Sequence, residues 1–118
     1  MASHGIDGRK LSRKTGPRLA LFRNLTVAVL RYEQVKTTEA RAKEVRGQVE
    51  RIITLAKEGS LTARRRVVAQ MPDEPLVIDK LFNEIAPKYA DRTSGYTRII
   101  HLGLRNGDAA PIVQIELV

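Results

Sequence analysis

Apolar residues in this chain recur at helical spacing as far as Ile85 and then, from Tyr96 on, at every second position. A chain that changes period once, late, and without repeating the change must pack helices against one small sheet, so the fold class it predicts is α+β. The 118 residues suit one core, since domains of this size seldom divide. About four helices on a two- to three-stranded sheet are therefore expected.

The first helix runs from about Pro17 to Arg31, with Leu21, Phe22, Leu25, Val29 and Leu30 on its apolar stripe and Thr15 or Gly16 as its cap. The second spans about Glu39 to Glu58, capped by Thr37 or Thr38 and stopped by Gly59, and buries Ala42, Val45, Val49, Ile52, Ile53 and Ala56. Ser60 caps a third helix through Val67, Val68 and Met71. Asp73 caps a fourth, with Pro75 early, Val77, Leu81, Phe82 and Ile85 buried, and Pro87 ending or bending it. Strands then flank the turn signal Asn106-Gly107. A lone hairpin is marginal in water, so it must lie on the helices, and Gln34-Val35-Lys36-Thr37 can add a third strand.

Residues 1–16 hold three Gly, two Ser and few bulky apolar groups, Ile6 and Leu11 among them. They cannot bury enough surface to offset their ordering entropy. The expectation is a basic extended tail at 1–16, ordered on RNA, ahead of a single globular domain at 17–118. Charge reinforces this division. Lys and Arg outnumber Asp and Glu by 21 to 13, a formal net charge of +8, and seven of the cations fall within residues 1–31 against Asp7 alone. A small body with its excess charge at one end expects a polyanion as partner.

Catalysis finds no support. Cys is absent, the two histidines are His4 in the tail and His101 in a predicted strand, and no phosphate loop, dinucleotide fingerprint or H-E-x-x-H pattern occurs. No cofactor, metal or small-molecule substrate is expected, and no apolar run reaches the roughly 20 residues of a membrane span.

Five cations, Arg9, Lys10, Arg13, Lys14 and Arg18, fall within ten positions free of acid. A flexible cationic segment of this kind can thread between RNA helices, with arginine forks gripping phosphates. Arg23 and Lys36 extend that surface onto the body. Arg92, Tyr96 and Arg98 surround the turn Thr93-Ser94-Gly95, where Tyr96 either stacks on a base or packs as core. Arg64-Arg65-Arg66 fan over about 200 degrees, so one or two can reach phosphate while stems of the others cover apolar surface.

Gly8-Arg-Lys-Leu11, Arg23-Asn24-Leu25, Thr37-Thr38-Glu39-Ala40 and the run from Leu81-Phe82 to Arg92 share an order with Gly95-Tyr-Thr-Arg-Ile99, Gly107-Asp-Ala-Ala-Pro111 and the closing Ile115-Glu-Leu-Val118. In this order the chain resembles the bacterial large-subunit ribosomal protein seventeen family. The resemblance implies a structural, non-enzymatic, cytoplasmic protein of the ribosome. It also implies binding to large-subunit ribosomal RNA near the peptide tunnel exit, with neighbouring large-subunit proteins as further partners. The alternative is a free regulatory or nucleoid-type nucleic-acid binder, which would be expected to show a groove-reading element or a dimer seam.

Overall fold

The computed structural model describes the backbone of residues 15–118 and the side chains of residues 19–118. Helix α1 (Thr15–Tyr32) leads into strand β1 (Gln34–Thr38) and helix α2 (Glu39–Glu58). Helix α3 (Leu61–Gln70) follows, then α4 (Pro75–Lys80), which continues through a π-helical turn at Leu81–Ile85 into a last turn at Ala86–Lys88. Strands β2 (Thr97–Leu104) and β3 (Pro111–Leu117) close the chain. The α+β class holds, and the Val35 segment is indeed a third strand.

Helix α1 begins at Thr15, earlier than Pro17, because a proline within the first turn removes an N–H that has no intrahelical acceptor. Thr15 and Gly16 therefore belong to the helix, and the remainder of the expected tail, residues 1–14, lies outside the described residues. The α1 chain reverses at Glu33, at φ 64°, whose N–H reaches Val29 O at 2.8 Å.

The bounds of α2 match the spacing, and its six predicted core residues are all buried. Gly59 closes it at φ 70°, a left-handed value that glycine takes without a Cβ penalty. Thr38 occupies the N-cap position, yet its side chain makes no capping bond. Ser60 does cap α3, its Oγ accepting from Ala63 N–H at 3.0 Å. Val67 and Met71 are buried as expected, whereas Val68 is exposed.

The fourth helix departs from expectation at both ends. Its N-cap is Glu74 and not Asp73, and Glu74 makes no side-chain capping bond, since its carboxylate turns to Arg31 at 2.7 Å. Pro87 neither ends nor sharply breaks the rod. It has no N–H to give, and just before it Ala86 N–H reaches back five residues to Leu81 O, so the helix widens and runs on to Lys88.

The sheet is antiparallel with order β1-β3-β2. Central β3 turns Val113, Ile115 and Leu117 inward onto α1 and α2, and Val35 and Ile99 flank Ile115 on the same face. The hairpin connection is longer than a two-residue Asn-Gly turn. It spans residues 105–110, closed by Arg105 N–H to Ala110 O at 2.8 Å, with Ala109 at φ 56°. A bulge between His101 and Gly103 leaves Leu102 out of register.

Candidate nucleic-acid interface

Of the ten residues expected to meet RNA, Arg9, Lys10, Arg13 and Lys14 lie outside the described residues, and so does the side chain of Arg18. The other five fall into three situations.

Arg23 and Lys36 are exposed and make no hydrogen bond or ion pair with any described residue. Arg23 lies on α1 beside Phe22, which packs against the core. Lys36 stands on β1 opposite Gln114, on the sheet face turned away from the helices. Arg98 shares that face through its pairing with Glu116 on β3, so the sheet brings Lys36 and Arg98 to one surface. Their charges are not equally available. Arg98 grips Glu116 with Nε at 2.7 Å and Nη2 at 2.6 Å. Hydrogen bonding from Gln114, and then from Arg98, holds the Glu116 carboxyl below its ordinary range.

Arg92 is exposed but bent back, its Nη1 donating to Gly95 O at 3.3 Å. It braces the turn at 93–95. Tyr96 corrects the open reading of its ring, because it is 0% exposed and presents no face on which a base could stack. Its ring packs on Tyr89 at 5.3 Å between centroids, and its hydroxyl donates to Thr93 O at 3.0 Å. Lys57 Nζ donates to the same hydroxyl at 3.0 Å and also to Arg92 O.

Two α2 side chains that sequence reasoning assigned no role hold this corner. The Glu50 carboxylate accepts from Gly95 N–H at 3.1 Å, Thr97 N–H at 3.2 Å and Thr97 Oγ1 at 2.8 Å. Glu50 and Lys57 are seven positions apart, two helical turns, and so project from one flank of α2. That spacing of opposite charges was the available signal. It reads equally as a solvated face.

Elsewhere several acids of the body are drawn into pairs. Lys80 and Lys88 flank Glu33 at 3.3 and 3.7 Å, Lys43 and His101 flank Glu39 at 3.8 and 3.4 Å, and Arg105 Nε meets Asp108 at 3.1 Å. A hollow of about 410 Å³ opens between the first turn of α2 and the start of β3, lined by Thr38, Glu39, Ala40, Lys43, Ala110 and Pro111. Its one carboxylate is the engaged Glu39. No group of three metal-ligating side chains occurs among the described residues, and no described helix is long and apolar enough to cross a membrane.

Residues 21–118 match the family model described as Ribosomal protein L17. A Large ribosomal subunit protein bL17 from Desulfitobacterium hafniense is 56% identical over 110 residues, covering 93% of this chain and 97% of that protein. The protein of the same name from Thermoanaerobacter sp. (strain X514) is 57% identical over 110 residues, with the same coverage. That from Erythrobacter litoralis is 51% identical over 115 residues, 98% of this chain and 81% of its own length.

Proposed function

Because this chain belongs to the ribosomal protein L17 family, a structural component of the ribosome and not an enzyme, we propose that it binds large-subunit ribosomal RNA near the peptide tunnel exit. The observation that carries RNA binding is the uneven use of charge. Glu33, Glu39, Glu74, Asp108 and Glu116 are each paired with a cation of the body at its surface, whereas Arg23 and Lys36 have no described partner. Cations without acids to answer them are what a phosphate backbone recruits. Arg9, Lys10, Arg13, Lys14 and Arg18 extend the same surface in sequence, with Arg98 and Arg92 as secondary, partly committed contacts. Tyr96 holds their corner in shape from beneath.

On this reading neighbouring large-subunit proteins meet the hairpin, whose Ile100 shares the outer sheet face with Lys36 and Arg98. The hairpin closes its charges on itself, through Arg98–Glu116 and Arg105–Asp108, and His101 Nδ1 lies 3.4 Å from Glu39 of α2. Ile100, Leu102 and Leu104 remain exposed on it. Apolar groups with no surplus charge suit a protein neighbour better than a phosphate backbone. The protein then works in the cytoplasm within the ribosome, without cofactor or small-molecule substrate.

Sedimentation tests the assignment. Expressed in a bacterium and run on a gradient after a high-salt wash, the protein is expected to travel with large subunits. Its recovery in the free-protein fraction would favour the free nucleic-acid binder instead.

A further inference from the structure

Helix α3 contains three arginines and no acid, and none of them is used by the interface described above. The structure separates the three. Arg64 lies over the Phe82 ring at 4.6 Å, so its guanidinium covers the half-buried π turn. Arg65 and Arg66 are exposed, and neither makes a hydrogen bond or ion pair with any described residue. Ala63 and Val67, on the opposite side of the helix, are buried, which fixes the direction in which Arg65 projects.

The side of the molecule these residues occupy follows from α2. Gln48 bonds Gln70 of α3, while Glu50 bonds Gly95 and Thr97 at the start of β2. Positions two apart on a helix point about 200 degrees from each other, so α3 and β2 sit on opposite flanks of α2. The α2–α3 seam carries a further cation, Arg51, whose Nη1 reaches only the amide oxygen of Gln48, at 3.4 Å. Arg66 precedes Gln70 by one turn and so borders this seam. Cationic side chains thus stand both on the sheet's outer face and on the far side of α2.

We propose that α3 is a second phosphate-contacting surface, where Arg65 and Arg66, bordered by Arg51, grip an RNA segment other than the one met by Arg23 and Lys36. The protein then bridges two stretches of RNA backbone. Planar guanidinium forks without a carboxylate on their own helix suit phosphate oxygens. The exposed Leu61 and Val68 on the same helix are isolated apolar groups of the kind any surface shows. The inference rests on the RNA-binding reading, and its test separates the two.

The full chain and a double variant, Arg65→Gln with Arg66→Gln, are bound to large-subunit ribosomal RNA over a range of salt, and the RNA backbone is footprinted with hydroxyl radicals. Gln is a good helix former at these exposed positions, so an unchanged melting temperature is expected. The slope of log K against log salt should shrink by about 1.5, at 0.7 to 0.9 per phosphate contact. Protection should vanish from one RNA segment and persist on another, while Arg23→Gln weakens the other alone. Arg65→Lys with Arg66→Lys keeps the charges and should keep most of the slope.

A double Gln variant with the parental slope and footprint overturns the proposal and leaves RNA binding standing. So does one that keeps both but loses a cross-link to a neighbouring protein in reconstituted subunits, since the surface would then serve an acidic protein. A parent chain that protects no RNA removes both readings.

Discussion

Glu50 gathers two backbone N–H groups and one hydroxyl onto a single carboxylate, and with Lys57, which bonds the Tyr96 hydroxyl two turns further along α2, it ties the turn at 93–97 to that helix. Replacing it with Ala leaves the part-buried Thr97 N–H without an acceptor. Hydrogen bonds to a charged group contribute roughly 1.5 to 3 kcal/mol, so Glu50→Ala should destabilise by about 2 kcal/mol, read from the urea midpoint. A midpoint equal to the parent's would show that water replaces the carboxylate at no cost. Phe22 and Arg23 test helix orientation in the same way. Phe22 is only half-buried, packed against the cluster around Leu30, so Phe22→Ala should cost about 2 kcal/mol, below the 3 to 5 of a fully buried ring. Arg23→Ala should leave the melting temperature unchanged and weaken RNA affinity at low salt. Tyr96 shows why single residues are hard to read. A tyrosine beside two arginines suits a stacking site and a core corner alike, and only the position of Lys57 and Tyr89 around the ring decides between them.

At the scale of elements, periodicity was most legible where the helix is long and one-sided. The α2 stripe and its glycine stop follow from apolar spacing alone. Short elements depend on one or two polar contacts that spacing does not reveal, which is why Glu74 stands where Asp73 was expected. Helix α3 has ten residues and leans on its cap. Ser60→Ala should therefore cost about 1 kcal/mol in thermal melting, the usual price of a lost N-cap. The π turn before Pro87 was not legible, because a sequence pattern marks the missing N–H but not the choice between ending a helix and widening it. The hairpin tip has its own signature. Asp108 bonds Arg105 first and Ala110 N–H second, which lowers its carboxyl to about 2. A carboxyl lowered in the folded state stabilises above its unfolded value near 4 and loses that contribution as pH falls toward 2. NMR of the Asp108 carboxyl should show this late titration, with amides of residues 105–110 shifting in step. A midpoint near 4 would mean the bridge with Arg105 does not persist in solution.

For the molecule as a whole, the layering of helices on a sheet was legible because one change of period leaves few alternatives. The strand order was not, since pairing β1 with β3 depends on contacts 80 residues apart in sequence, such as Gln34 with Gln114. The candidate interface divides in a similar way. Sequence shows where cations are, but only the fold shows which ones acids have already claimed: Glu116 holds Arg98, while Lys36 has no partner among the described residues. This division makes a quantitative expectation for the N-terminal end. Deleting residues 1–14 takes away Arg9, Lys10, Arg13 and Lys14 and leaves every described core residue in place. The melting temperature should therefore hold while RNA affinity falls. If each of the four cations neutralises one phosphate, the slope of log K against log salt should shrink by about 3 to 4, at roughly 0.7 to 0.9 per contact. A loss of affinity at constant slope would instead mean that these residues act by shape or by contacts to bases. A truncated chain that melts early would show that they also support the core.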